Sequence, residues 1–196
     1  MNLPLSSIVY LGKLSSQFMK KTIIIAAMSA LISISAIAAD KLKGVNNVEF
    51  GWKIERCREA LPNVGLQQIT DNGDNIAYAY HPAVWGRIDW DTCVLDFFKD
   101  KLYQIGFVKA SATDDRTSFS QAKVILTAAY GQPRELNNSA NSYIWSSSNG
   151  NLIVLQYSNN PSTPDTQYST YLYFVDNKEV TRKAKKAERE LRDLMK

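Results

Sequence analysis

Two cysteines and a single histidine are the side chains best equipped for chemistry in this 196-residue chain. Cys57 and Cys93 are far apart in sequence, so they do not form the C-x-x-C spacing of a redox pair. His81 has Asp89 and Asp91 in the stretch that follows it, but no Gly-x-Ser-x-Gly elbow or comparable local signature supplies a nucleophile. One histidine and two cysteines are too few for a structural zinc site. Asp71-Asn72-Gly73-Asp74-Asn75 offers oxygen ligands, yet it lacks the twelve-residue calcium loop closing on Glu and reads as a turn. Neither a dinucleotide fingerprint nor a phosphate-binding P-loop occurs. Asp89 with Asp91 is left as a carboxylate pair that could hydrolyse a glycosidic bond. The residues therefore predict no catalytic set, no metal and no cofactor.

A binding role has better support. The stretch Tyr80 to Trp90 (YHPAVWGRIDW) brings Tyr80, His81, Trp85, Arg87 and Trp90 together. Tyr, Trp and Arg are the types enriched where binding energy concentrates, and loops on a rigid sheet are the usual place for a site. The competing expectation is that Trp85 and Trp90 fold back onto the edge of the core.

The elements that would hold this stretch follow from periodicity. Ile54, Cys57 and Leu61 fall on one stripe of a short helix over 53–61, which Pro62 ends. Strands are predicted at 66–70 and 75–81 about an Asn-Gly turn, with 82–91 as a loop. A hairpin then runs from Thr92 to Phe98 and back from Lys101 to Lys109. Cys93, Leu95 and Phe97 are expected to share a face with Tyr103, Ile105 and Phe107. Val94, Asp96, Phe98, Gln104 and Lys109 are assigned to a mixed, half-solvated opposite face. A helix over 119–130 is predicted, with Ser118 and Gln121 as a capping box, a buried stripe of Ala122, Ile125, Leu126, Ala129 and Tyr130, and Gly131 and Pro133 as its stop. Strands follow at 142–147, 151–158 and 167–175. The chain ends in an amphipathic helix over 178–194, where Val180, Ala184, Ala187, Leu191 and Leu194 make a heptad-like seam. That seam could dock on the body, on a partner or on a second copy, or the basic helix could lie on a membrane surface, for which the apolar stripe lacks an aromatic. The class is α+β: an antiparallel sheet with two helices on one face and a C-terminal amphipathic helix.

The N-terminus reads as a cleaved export signal over 1–38, with 1–18 as an upstream extension before Met19. Met19-Lys20-Lys21 is the basic start, 22–35 the apolar run, and Ala36-Ile37-Ala38 the small-x-small site. Periplasmic or secreted localisation follows, with a single domain over 39–177, the charged helix over 178–196 and no integral membrane segment after cleavage. The whole chain carries 23 basic and 19 acidic residues. Removing 1–38 takes away Lys13, Lys20 and Lys21 and no acid, leaving 20 against 19. The body 39–177 has twelve basic and fifteen acidic residues, while 178–196 has eight and four. Such a body has no electrostatic case for binding nucleic acid. In an oxidising compartment two cysteines predict one disulfide, Cys57–Cys93, constraining the unfolded chain by about 4 kcal/mol.

The order of helix, glycine and strands occurs twice. The pattern Gly51-x-x-Ile54-x-x-Cys57-x-x-x-Leu61-x-x-x-Gly65, and later Tyr130-Gly131-Gln132-Pro133 ahead of Tyr143-x-Trp145, resembles the small α/β units of the outer-membrane assembly lipoprotein BamE and of the β-lactamase inhibitor protein. The resemblance implies helices packed on an antiparallel sheet and action by binding other proteins. This chain departs from it in having four strands in the first unit, a longer second helix and no cysteine after the apolar run for lipid attachment. The expected function is a non-enzymatic protein-binding module of the bacterial envelope, an adaptor, inhibitor or immunity-type protein. The alternatives are a glycan or small-ligand binder using Trp85 and Trp90, and a hydrolase using unrecognised carboxylates. The expected partner is another protein, with the C-terminal helix as a self-association surface.

Overall fold

A computed structural model describes residues 41–61, 63–136, 139–162 and 164–194. The predicted leader over 1–38 and the helix-stop Pro62 lie outside them, as do the side chains of Leu191 and Leu194.

Two short strands, β1 (Gly44–Val45) and β2 (Val48–Glu49), lead into helix α1 (Ile54–Ala60). A meander of β3 (Gln67–Asn72), β4 (Asn75–Tyr80), β7 (Thr92–Phe98) and β8 (Lys101–Ser111) follows. Between β4 and β7 the chain makes a separate hairpin, β5 (Ala83–Trp85) and β6 (Ile88–Trp90). Helix α2 (Thr117–Tyr130) then opens a second meander of β9 (Arg134–Leu136), β10 (Ser139–Ser146), β11 (Leu152–Asn159) and β12 (Tyr168–Val175). The two meanders join through antiparallel β8 and β12 into an eight-stranded sheet, ordered β3-β4-β7-β8-β12-β11-β10-β9. Each half is therefore a helix followed by four strands. Helix α3 (Asn177–Leu194) closes the chain.

Alternation along the strands splits the apolar residues between two faces. The first face carries Tyr78, Leu95, Ile105, Phe107, Leu172, Phe174 and Trp145, and α1, α2 and the β5–β6 hairpin pack on it. Ile54 and Cys57 point in from α1, Phe119, Ala122 and Leu126 from α2, and Ala83, Ile88 and Trp90 from the hairpin. Burial at about 25 cal/mol per Å² of apolar surface makes this layer the main stabilising element.

Several local expectations are corrected. The register slips between Asp96 and Phe97, so Phe97 pairs with Leu102 and Asp96 with Gln104. This bulge inserts one residue. Leu102 joins the first face, and Tyr103 turns to the second. Lys109 stands on the parity of Phe107 and ion-pairs with Asp91 at 2.9 Å. The second face is buried rather than half-solvated: Val94, Asp96, Phe98 and Gln104 are each at most 8% exposed. The reason is α3, which lays Val180 on this face and donates from Lys183 Nζ to the Tyr103 hydroxyl at 2.8 Å.

Helix α2 starts two residues earlier than the capping box requires. Its N-cap is Arg116, without a side-chain cap, and Ser118 lies inside the helix. Asp115 Oδ1 accepts from the Thr117 amide at 2.9 Å and replaces the expected serine. The preceding turn is fixed by Asp114, which accepts from Arg116 Nε at 3.0 Å and from the Tyr157 hydroxyl at 2.5 Å. Ala129 is exposed rather than buried. The helix stops as expected: Gly131 has φ +80°, and its amide donates to the Thr127 carbonyl at 3.0 Å. At α3 the start is capped by Asp176, whose Oδ1 accepts from the Lys178 amide at 3.0 Å.

Candidate functional site

The segment 82–91 is a folded hairpin rather than a loop. Ala83 pairs with Trp90 and Trp85 with Ile88. Gly86 and Arg87 form the two-residue tip with φ of 62° and 61°. Two consecutive positive φ values are what a type I′ turn requires, and Arg87 adopts one despite its side chain. The signal was present in the sequence as Trp85-Gly86-Arg87 between alternating Ala83 and Ile88, Trp90, but Pro82 drew the assignment towards irregular structure.

The residues picked out as binding candidates separate into two groups. Tyr80 and Trp90 are core residues, 5% and 1% exposed. The Trp90 ring lies 5.7 Å from that of Phe107, and its Nε1 donates to the Trp85 carbonyl at 3.4 Å. Trp85 is half-buried, with its ring 5.3 Å from Phe174 and 6.5 Å from Phe107. His81 and Arg87 face solvent. Two of the five, Trp85 and Trp90, thus seat the hairpin on the sheet, Tyr80 is buried in β4, and His81 and Arg87 are left at the surface.

What the seated hairpin creates is a junction with α2. Gly86, Arg87, Ser120, Gln121, Val124 and Ile125 line a cleft of about 410 Å³. Val84 and Val124 are large aliphatic residues standing in water, 54% and 69% exposed. Val84 belongs to the same short hairpin as the tip. Its carbonyl accepts from Asn46 Nδ2 at 2.7 Å, which ties the hairpin to the β1–β2 turn. Neither valine was marked by periodicity: Val84 alternates outward on a strand, and Val124 lies off the buried stripe of α2. Their signal is an aliphatic side chain where the pattern calls for a polar one.

The cysteines do not form the expected disulfide; both are buried and free. Cys93 is the cross-strand partner of Tyr80, and its thiol is hydrogen-bonded by the Tyr80 hydroxyl rather than bonded to Cys57. Burial pushes Cys57 up to about 11, and burial, countered in part by the Tyr80 hydroxyl, pushes Cys93 up to about 12. Both are thiols, not thiolates, at neutral pH.

Several other titratable groups are engaged structurally. Asp91 holds Lys109 and accepts from the Ala110 amide at 2.7 Å, pinning the end of β6 to β8. The turn carboxylate Asp71 accepts from the Gly73 amide at 3.1 Å, and Asp74 ion-pairs with Lys186 of α3. Beneath α3, Asp96 accepts from Gln104 Nε2 at 2.9 Å. Its burial pushes it up to about 6, partly opposed by Lys183. Burial also lowers Lys183, with Asp96 opposing. The buried Asp96 and the part-buried Lys183 near it were not anticipated from sequence, because they depend on which face α3 covers. Among the described residues no group of three or more His, Cys, Asp or Glu is placed to hold a metal ion. No family model, curated protein or solved structure matches this chain.

Proposed function

We propose that the chain is an exported, non-enzymatic protein-binding module of the bacterial envelope, and that it binds through the tip of the β5–β6 hairpin and the outer side of α2. The observation that carries this reading is the exposure of Val124, 69%, in the cleft that Gly86 and Arg87 make with α2, together with Val84, 54% exposed, on the hairpin that supplies the tip. A protein interface needs an apolar centre with a polar rim and favours an arginine anchor. The two valines supply the first, Ser120 and Gln121 the second, and Arg87 the third. Support also comes from the rigid seating of the hairpin, since a site held by packed residues loses little entropy on binding. The resemblance to protein-binding α/β units points the same way.

The glycan reading fares less well. A sugar platform needs an open ring face, and Trp90 is 1% exposed. The carboxylate-hydrolase reading loses Asp91 to its contacts with Lys109 and Ala110.

The test is site-specific photo-crosslinking in expressing cells, with a photoreactive residue at position 84 or 124. The expected result is one discrete adduct common to both positions and absent from position 59, on exposed α1 surface. Adducts from 59 but from neither valine position would sink the proposal.

A further inference from the structure

Helix α3 carries its cations in a pattern that the docking of the helix does not use. Lys178, Arg182, Lys185 and Arg189 are spaced 4, 3 and 4 along the sequence, a spacing that places them in one stripe on a helix. All four are exposed. In the sequence, Arg192 and Lys196 continue the spacing by 3 and 4. The stripe lies opposite the seam of Val180, Ala184 and Ala187, and Val180 is 1% exposed against the sheet. A second pair of cations, Lys183 and Lys186, is turned towards the sheet and satisfied there by Tyr103 and Asp74. Two different uses of basic residues thus coexist on one helix.

Arg182 is flanked by Glu179, its Nη1 2.8 Å from Oε1, and keeps 55% of its side chain exposed. Among the described residues Lys178, Lys185 and Arg189 have no carboxylate at ion-pair distance. The first turns of α3 also border an open polar groove of about 490 Å³, where Lys178, Arg182 and Lys185 face Asn149, Gly150 and Asn151 of the β10–β11 turn.

We propose that this outward stripe of α3 is a peripheral docking surface for an anionic lipid bilayer. The described stripe, Lys178 to Arg189 on an 18-residue helix, runs about 16 Å at the rise of an α-helix, a line of charge that matches a plane of charge. Its described members are all long and cationic, with no aromatic or aliphatic anchor among them. A protein interface would need such an anchor at its centre; an anionic membrane surface does not, since each Lys or Arg near it contributes by charge alone. Val180, at the start of the seam, is buried on the sheet, and the charged stripe on the opposite side of the helix meets headgroups by charge, without inserting. The charge segregation fits as well: an acidic body behind a basic helix orients the molecule with α3 towards the membrane.

The experiment is co-sedimentation of the full chain with vesicles of neutral phosphatidylcholine, with and without 30 mol% phosphatidylglycerol. The triple variant Lys178→Gln/Lys185→Gln/Arg189→Gln shares residues 1–40 with the wild type, so the difference between the two proteins belongs to α3. Removing three surface-facing cations should lower partitioning to anionic vesicles by about 100-fold and leave partitioning to neutral vesicles unchanged. High salt should release the wild type. The charge-conserving pair Lys178→Arg/Lys185→Arg should bind as the wild type. Equal binding of the triple variant and the wild type to anionic vesicles overturns the proposal. So does tighter binding of the wild type to a Glu-rich peptide or to duplex DNA at the same salt, which would assign the stripe to an acidic protein or a nucleic acid.

Discussion

A methyl group placed on Gly86 would lie 2.9 Å from Ile125 Cδ1. That approach is what holds the hairpin tip against α2, and glycine permits it twice over, by its missing side chain and by its φ of +62°. Gly86→Ala should therefore cost about 1–2 kcal/mol, from the left-handed backbone and the contact together. The contact part should shrink in an Ile125→Ala background. A double-mutant cycle by urea denaturation measures this, and additive effects would mean the tip does not press on Ile125.

Trp90 and Val124 should behave in opposite ways. Trp90 is at the centre of the first-face core, so Trp90→Ala should lose about 3–5 kcal/mol. Val124→Ala, on a solvated helix face, should change stability by less than about 0.5 kcal/mol. Equilibrium unfolding decides both. A tolerant Trp90 would return the Trp85–Trp90 segment to consideration as an open ligand platform.

Asp96 gives the fold a pH signature. Its carboxyl is raised to about 6 by burial, above the unfolded value near 4. The folded state then holds a proton that the unfolded chain has released, so the stabilising contribution is complete below pH 4 and is lost as pH rises through 6. Asp96→Asn keeps an acceptor for Gln104 and removes the ionisation. It should be more stable than the wild type at pH 7.5, by about 1–3 kcal/mol, with the difference vanishing near pH 4. A variant less stable than the wild type at pH 7.5 would show that Lys183 more than offsets the cost of the buried charge.

Cys57 and Cys93 should be inert while the protein is folded. With both thiols buried and their pKa values pushed up to about 11 and about 12, a thiol reagent at pH 8 should label neither. It should label two per chain in non-reducing denaturant. Labelling of none in denaturant would mean that the bridge expected from the sequence forms after all.

Local pattern carried the sequence reading far. The Asn-Gly turns, the alternation in β4 and β7 and the Gly131 stop of α2 each depend on neighbours a few residues apart, and each stands in the structure. What failed depended on distant partners or on single insertions. One bulge at Phe97 turns Tyr103 to the other face. The burial of Asp96 is decided by α3, more than eighty residues later. The two valines of the candidate site could be seen in the sequence only as ordinary apolar residues, because their exposure follows from how the β5–β6 hairpin seats.

The measurement that bears most directly on the proposed interface is the charge-introducing pair Val84→Glu/Val124→Glu, assayed for crosslinking to its partner from a photoreactive residue at position 121. The proposed interface predicts an unchanged melting transition, because both side chains already stand in water, together with loss of the adduct by at least about tenfold. An adduct of wild-type yield from a stably folded double variant would contradict it and move the binding surface elsewhere on the molecule.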